Sequence, residues 1–323
     1  MDKVSGQSRR VSRLFAHIDP YDQRMLDVGD GHSVYVEQSG NDAGIPVVVF
    51  HGGPGGGCSP TMRRFFDPEV YRIIMFDQRG CGRSKPSGVV EANTTWHLLR
   101  DIEQIRETLG FGKFIAFGGS WGATLALLYA QKFPDQVRAM VLRGVFLMQR
   151  RELEWFYGGG AGHFWPEHWS RFVNLVPEDE RDDLIGAYHK RLFSGDRTVE
   201  YRYSRVWSQW ENALASFESD GVTGEPPAEY ARIFARLECH YFYNNGFLNE
   251  QDDILKNMHK IAHIPGVIVQ GRYDMICPPL SAYELSLAWP KARLQFVARA
   301  GHALSEKEIS DELLRTMARI SRY

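Results

Sequence analysis

The sequence predicts an α/β fold: a mostly parallel β-sheet covered by helices, with a helical cap inserted into it. Three observations lead to this prediction. Apolar strand-like runs alternate with helix-like runs up to residue 148 and again after residue 256, which is typical of a parallel sheet covered on both faces. A Gly-x-Ser-x-Gly turn at residues 118–122 joins an apolar run to a helix-like run. From residue 149 to 255, strand signals almost vanish and aromatic and helix-forming residues dominate.

The elements of the first half are predicted in chain order from their apolar spacing. Residues 20–40 should form two edge strands around the turn Gly29-Asp30-Gly31. Residues 98–109 carry apolar side chains spaced to line one face of a helix. Four further strands are predicted at residues 45–50, 71–76, 114–117 and 137–142.

The second half resumes the sheet after a long interruption. Apolar runs at 264–270 and 293–297 predict two more strands. The predicted α/β core therefore comprises residues 1–148 and 256–323, and residues 149–255 form the helical cap. A cap inserted there would cover the carboxyl ends of the strands, where sheets of this kind carry their function. The alternative is an ordinary helical subdomain whose aromatic residues form only its own core.

Composition excludes several classes of function. The net charge of −2 and a pI of about 6.6, without a block of like charge, give no reason to expect a nucleic-acid partner. No apolar run is long enough to span a bilayer. The four cysteines are scattered without a Cys-x-x-Cys pair, which favours a reduced, cytoplasmic protein. The eleven histidines lack the spacing of metal ligands, so neither a metal nor an organic cofactor is expected.

Ser120, at the centre of the 118–122 turn, is the predicted nucleophile. Its hydroxyl needs a base, and the base needs an orienting carboxylate. Asp274 follows the strand at 264–270, and His302 follows the strand at 293–297. The order Ser, Asp, His is that of hydrolases with this turn. Taken singly, Asp274 could be a turn carboxylate and His302 a surface histidine, but together they predict a triad of Ser120, Asp274 and His302.

The same chemistry needs two N–H groups to meet the negative oxygen of the tetrahedral intermediate. One donor should be the backbone N–H of Trp121, which follows the nucleophile. The other should come from the glycine-rich segment 51–57 after the strand at 45–50, and we assign it to Gly53.

Several segments together give the chain a family resemblance. The segments 51–57, 77–84, 118–122 and 271–274 and the cap segments 207–211 and 238–242 resemble those of the proline iminopeptidases, which are serine peptidases of the α/β-hydrolase fold. The resemblance covers the chain from about Tyr21 to its C-terminus. It implies an enzyme that removes N-terminal proline from small peptides through a prolyl-enzyme intermediate.

The resemblance also implies how the substrate is held. Glu211 and Glu238 are expected to bind the cationic secondary amine, since charge-assisted hydrogen bonds are strong. Phe146, Phe156, Phe242 and Cys277 are expected to surround the proline ring. From the residues alone, a glutamate on a helix is usually solvated, and apolar residues such as these four often serve only core packing.

Two other functions remain open at this point. An esterase, amidase or lactonase could use the same triad with another pocket. A non-catalytic relative of the fold could bind a small ligand, although the complete Ser, Asp, His order favours an enzyme.

Overall fold

The computed structural model of the protein describes residues 14–217 and 226–322. Within them, an eight-stranded sheet has the strand order β1-β2-β4-β3-β5-β6-β7-β8. The strands are β1 (Asp22–Asp27), β2 (Ser33–Gly40), β3 (Ile45–Phe50), β4 (Tyr71–Phe76), β5 (Phe114–Ser120), β6 (Val137–Val145), β7 (Gly266–Gly271) and β8 (Ala292–Val297). β2 is antiparallel to both of its neighbours, and the pairs from β4 to β8 are parallel. The predicted fold class is therefore confirmed.

One strand prediction is wrong. β1 lies at the edge of the sheet, but β2 pairs with both β1 and β4 and is internal. The sequence of β2 is misleading because it contains the polar residues Glu37 and Gln38, both of which are buried. Arg63 donates to the two carboxylate oxygens of Glu37 at 2.7 and 2.9 Å. Arg72 donates to the Gln38 side-chain oxygen at 2.8 Å. Hydrogen-bond donors from other parts of the chain thus satisfy the polar side chains of β2 and allow this strand to lie inside the sheet.

Helices cover the sheet, and several of them occupy the stretch of sequence between β6 and β7. They are α1 (Thr95–Leu109), α2 (Trp121–Lys132), α3 (Arg150–Tyr157), α4 (Pro166–Asn174), α5 (Leu184–Leu192), α6 (Arg197–Leu214), α7 (Ala228–Tyr243), α8 (Pro279–Ala288) and α9 (Lys307–Ile320). Short 3₁₀ helices lie at Pro60–Phe65, Pro134–Gln136, Ala161–His163, Glu178–Glu180, Asn245–Phe247, Glu250–Asp252 and Met258–Ile261. In the described chain, none of the helices has both the length and the apolar character needed to cross a membrane.

The two faces of the sheet bury separate apolar cores, as the alternation of side chains along a strand requires. In β3, Val48 and Phe50 join one core with α1 and α2, whereas Val47 and Val49 join the other with α9. α2 is buried on all sides from Trp121 to Ala130. A rigid, fully packed helix therefore follows the Ser120 turn directly.

The helices α3 to α7 follow β6 and precede β7, and they pack around stacked aromatic rings. Phe172 stacks on Tyr188 with ring centroids 4.3 Å apart, and Tyr157 stacks on Trp207 at 4.4 Å. Trp207 and Trp210 are 0% and 1% exposed. Most of these aromatic residues therefore form the interior of this helical layer. The layer also contains charged side chains on α6 and α7.

Candidate active site

Ser120 lies at the corner where β5 ends and α2 begins. A Cβ at Gly118 would lie 2.4 Å from the carbonyl oxygen of Gly122, and a Cβ at Gly122 would lie 2.0 Å from that of Phe50. Only glycine fits these positions, so the chain can turn this tightly. The corner holds Ser120 at φ 57° and ψ −129°, a strained conformation for a residue with a side chain. Such strain is characteristic of functional sites.

Asp274 and His302 form a buried pair. The His302 Nδ1 atom lies 2.8 Å from Oδ2 and 3.0 Å from Oδ1 of Asp274. The carboxylate is fixed in turn by the backbone N–H groups of Ile276 and Cys277, at 3.1 and 2.8 Å, and by the Gln270 amide at 3.2 Å. With Nδ1–H donating to Asp274, the Nε2 atom of His302 is free to accept a proton.

The geometry of β6 brings this pair next to Ser120. Ser120 is in register with Val145 on the neighbouring strand. A Cβ on the preceding residue, Gly144, would lie 2.9 Å from Cε1 and Nδ1 of His302 and 3.2 Å from Oδ2 of Asp274. The imidazole ring thus occupies the space that a side chain at Gly144 would fill. The structure therefore brings the three predicted catalytic residues together at the carboxyl end of the sheet.

The glycine-rich loop after β3 passes beside Ser120. A Cβ at Gly52, which precedes Gly53, would lie 3.3 Å from the Cβ of Ser120. His51 braces this loop: its Nδ1 lies 2.9 Å from the Gly52 carbonyl oxygen, and its Nε2 accepts from the Gln78 N–H at 3.0 Å. Burial lowers the pKa of His51, which favours a neutral ring. Because both ring nitrogens have backbone partners, His51 is suited to holding the loop and not to acting as the base.

The other predicted oxyanion donor besides Gly53, the Trp121 N–H, belongs to the first residue of α2. Unpaired N–H groups at a helix N-terminus favour negative charge. The Trp121 indole N–H donates to the Gln78 side-chain oxygen at 3.1 Å. The loop that carries Gly53 and the helix that starts at Trp121 are therefore joined through Gln78, which the sequence reasoning did not single out.

Glu211 on α6 and Glu238 on α7 form a carboxyl pair in the helical layer. The two side chains are hydrogen-bonded to each other. Glu238 is 1% exposed, and its Oε2 accepts from the Trp207 indole at 2.6 Å and from the Tyr157 hydroxyl at 3.4 Å. The Oε2 atom of Glu211 is shielded from solvent and lacks a hydrogen-bond partner among the described residues.

Two carboxyl groups this close cannot both ionise freely. Burial raises the pKa of Glu211 to about 7. Burial, and after it the charge of Glu211, raises the pKa of Glu238 well above its ordinary value. Near neutral pH the pair therefore retains a proton, and it offers an unpartnered acceptor oxygen to a donor that enters the site. A cationic amine has both the charge and the N–H groups that such a pair lacks.

The four residues expected to line a proline pocket are all buried. The rings of Phe146 and Phe242 meet edge to face with centroids 5.8 Å apart. Phe156 lies against Tyr157 at 4.3 Å, and Tyr157 lies 5.6 Å from Phe242. The Cys277 thiol hydrogen-bonds with Ser120, and burial raises the pKa of this thiol well above its ordinary value. Apolar rings thus lie near the carboxyl pair, and a neutral thiol lies next to Ser120.

Sequence reasoning missed Tyr157 and Trp207, which hold Glu238, and Gln270, which holds Asp274. A signal existed for Trp207 alone, because it precedes Glu211 by four residues and so shares its helix face. In the described parts of the chain, no three His, Cys, Asp or Glu side chains are grouped so that they could hold a metal ion.

Comparison with known proteins gives a consistent family. The model of the alpha/beta hydrolase fold matches residues 45–308. The chain is 50% identical to a proline iminopeptidase of Xanthomonas citri over 94% of this chain and 97% of that protein. It is 49% identical to one of Arabidopsis thaliana over 93% of this chain and 80% of that protein. It is 48% identical to one of Neisseria gonorrhoeae over 92% of this chain and 96% of that protein.

Solved structures agree on the fold alone, because their sequences are distant. A putative aryl esterase from Burkholderia cenocepacia is 17% identical with a TM-score of 0.62, over 93% of this chain and 99% of that one. An esterase from Exiguobacterium antarcticum is 19% identical with a TM-score of 0.58, over 93% and 98% of the two chains.

Proposed function

The chain belongs to the proline iminopeptidase family of the α/β-hydrolase fold, and we propose that it is a prolyl aminopeptidase whose catalytic residues are Ser120, His302 and Asp274. The observation that carries this proposal is the carboxyl pair of buried Glu238 and half-buried Glu211, whose Oε2 atom is shielded from solvent and unpartnered among the described residues. An esterase needs a nucleophile, a base and an oxyanion hole, but it has no use for two enclosed carboxyl groups. A peptidase that must hold a cationic amine does.

Acylation begins when the Ser120 hydroxyl attacks the prolyl carbonyl. His302 Nε2 takes the hydroxyl proton, and Asp274 orients the ring and stabilises its cation. The carbonyl oxygen becomes an oxyanion, which the N–H groups of Gly53 and Trp121 stabilise. His302 then gives its proton to the leaving amine of the peptide, which departs and leaves a prolyl ester on Ser120.

Deacylation repeats the same steps with water as the nucleophile. His302 takes a proton from the water, which attacks the ester carbonyl and forms a second oxyanion in the same site. Collapse of this intermediate returns the proton to Ser120 and releases proline. No step needs a metal or an organic cofactor.

Recognition of the amine limits cleavage to the first residue. The secondary amine of an N-terminal proline is cationic near neutral pH, and it can replace the shared proton of the Glu211–Glu238 pair. Charge-assisted hydrogen bonds of this kind are about twice as strong as neutral ones. A proline inside a peptide chain is acylated and carries no charge, so it would leave the carboxyl pair without a partner. Phe146, Phe156, Phe242 and Cys277 then enclose the ring.

The substrates we propose are small peptides that begin with proline. The net charge of −2 gives no reason to add a nucleic-acid partner. All four cysteines are free, which suits the reducing environment of the cytoplasm, and we place the protein there.

A panel of arylamides tests the function directly. Proline arylamide should be cleaved fastest, and hydroxyproline, alanine and N-acetylproline arylamides should be cleaved more slowly. A fluorophosphonate should label the wild-type protein but not Ser120→Ala. Cleavage of acetyl esters or acyl lactones without cleavage of proline arylamide would favour an esterase or lactonase. Absence of labelling would favour a binding protein.

A further inference from the structure

The loop that carries His302 is hydrogen-bonded to the residue that directly follows a helix. The carbonyl oxygen of Ala215 accepts from the N–H groups of His302 at 3.1 Å and Ala303 at 2.7 Å. Ala215 directly follows α6, the helix that carries Glu211. From the sheet, Arg143 Nη1 donates to the carbonyl oxygen of His302 at 2.7 Å. The backbone of His302 is thus held by two contacts, one with Ala215 and one with Arg143.

The loop of His302 and the chain that follows α6 meet at a junction, where a single carboxylate links them. Glu306, the residue before α9, accepts from the Gly301 N–H at 3.0 and 2.9 Å with its two oxygens. Its Oε1 also accepts from the Phe217 N–H at 3.2 Å. Gly301 precedes His302 and Phe217 lies two residues beyond Ala215, so Glu306 bridges the loop of the base and the chain that leaves α6. Its charge also interacts favourably with the buried Arg143 guanidinium.

α6 connects this junction to the amine site. Glu211 and Ala215 are four residues apart, about one helical turn, and rigid secondary-structure elements of this kind can carry coupling between sites. Glu211 shares a proton with Glu238 while the site is free, and it meets a cation when substrate is bound. A small movement of Glu211 would therefore reach Ala215 and, through it, His302. Misplacing a catalytic group by about 1 Å can cost about 100-fold in rate.

We propose that Glu306 is a positioning residue that couples the amine-binding helix α6 to the loop of the catalytic base His302. The correct substrate then does two things at once. Its amine binds the carboxyl pair, and this binding fixes the position of the end of α6, against which the loop of His302 is aligned. The inference rests on the proposed function, because it assigns Glu211 to the amine and His302 to the base.

The test is a double-mutant cycle of Glu306→Gln and Glu211→Gln, measured on proline arylamide. Glu306→Gln keeps the shape of the side chain but loses the charge and one acceptor oxygen. We expect kcat per active site, titrated with a fluorophosphonate, to fall about 10- to 100-fold, while KM changes less than about threefold because the carboxyl pair is intact. Glu308→Gln, an exposed glutamate in the first turn of α9, is the matched control and should change neither value.

Coupling is measured by how much each substitution alters the effect of the other. Glu211→Gln should reduce kcat/KM by a factor at least about fivefold smaller in the Glu306→Gln background than in the wild type. Factors that multiply independently to within about twofold, or an unchanged kcat in Glu306→Gln, would overturn the proposal. If Glu306→Gln does not fold, the same cycle with Glu306→Asp decides it, because the shorter side chain keeps the charge but cannot reach both N–H groups. Failure of the wild type to cleave proline arylamide would instead refute the proposed function.

Discussion

Replacing Glu211 by glutamine should stabilise the free protein above neutral pH while it impairs catalysis. Burial raises the pKa of Glu211 to about 7 from 4.5. An acid whose pKa is raised on folding holds a proton in the folded state that the unfolded chain has already lost. Its contribution to the free energy of unfolding is therefore complete below pH 4.5, and it is lost as the pH rises through about 7.

The size of this loss follows from the shift. One pKa unit corresponds to about 1.4 kcal/mol, so full ionisation of Glu211 costs the folded state about 3 kcal/mol. Glutamine has the same shape and no charge, so this loss disappears in the variant. Glu238 should also destabilise the folded state less in the variant, because the neighbouring charge that raises its pKa is removed.

Urea unfolding at pH 5 and pH 8 measures the difference. At pH 5 the wild-type carboxyl is mostly protonated, and the two proteins should have similar free energies of unfolding. At pH 8 the variant should be more stable by up to about 3 kcal/mol. Glu308→Gln, on the surface, should show the same pH dependence as the wild type. A variant that is less stable than the wild type at pH 8, or a difference that does not change with pH, would refute a shared proton in the pair.

Four further outcomes are expected. Ser120→Ala should lower the turnover of proline arylamide by on the order of 10⁴- to 10⁶-fold with an unchanged melting temperature, and turnover within about tenfold of the wild type would exclude the nucleophile role. N-acetylproline arylamide should lose about 30- to several thousand-fold in kcat/KM, since a lost buried charge contact costs about 2–5 kcal/mol, and equal cleavage would exclude amine binding by Glu211 and Glu238. Because the pKa of Glu211 is about 7, kcat/KM for proline arylamide should fall more steeply with acidification than the rate of labelling by an uncharged fluorophosphonate. Parallel pH profiles would contradict the binding of the amine by ionised Glu211. Gly122→Ala should destabilise the fold by about 3 kcal/mol or more, because its Cβ would lie 2.0 Å from a carbonyl oxygen of β3; Gly112→Ala, with open space around its Cβ, is the control, and equal unfolding midpoints would contradict the steric argument.

The sequence predicted what local chemistry determines. Alternation of apolar residues in β3 follows from the pleat of a strand, and the fold class follows from repeating that pattern with helices. The glycines around Ser120 are needed by contacts within the turn and with the adjacent strand, so their spacing is visible in a short segment. Ser120, Asp274 and His302 could be predicted as a triad because each follows a recognisable strand.

The sequence could not predict what distant residues do to one another. β2 lies between β1 and β4, and its polar residues are satisfied by Arg63 and Arg72 from later in the chain, which nothing in its own residues indicates. The family resemblance assigned Glu211 and Glu238 to one site. Their shared proton depends on α6 and α7 lying side by side, which no local pattern specifies. The contacts of Glu306 with two separate loops depend in the same way on tertiary structure.

If Glu211 and Glu238 bind the amine as we propose, the selectivity of the site and its cost in stability have the same physical cause. A carboxyl pair open to water would cost the fold little, but water would compete with the amine and would satisfy the site equally well without it. Enclosing Glu211 and Glu238 removes that competitor, so only a ligand with a positive charge and N–H groups can replace the proton. Apolar residues of similar volume would make the folded state more stable, yet they would remove the feature that tells an N-terminal proline from an internal one. In the proposed function, the stability lost at Glu211 is therefore the consequence of a site that remains incomplete until its substrate binds.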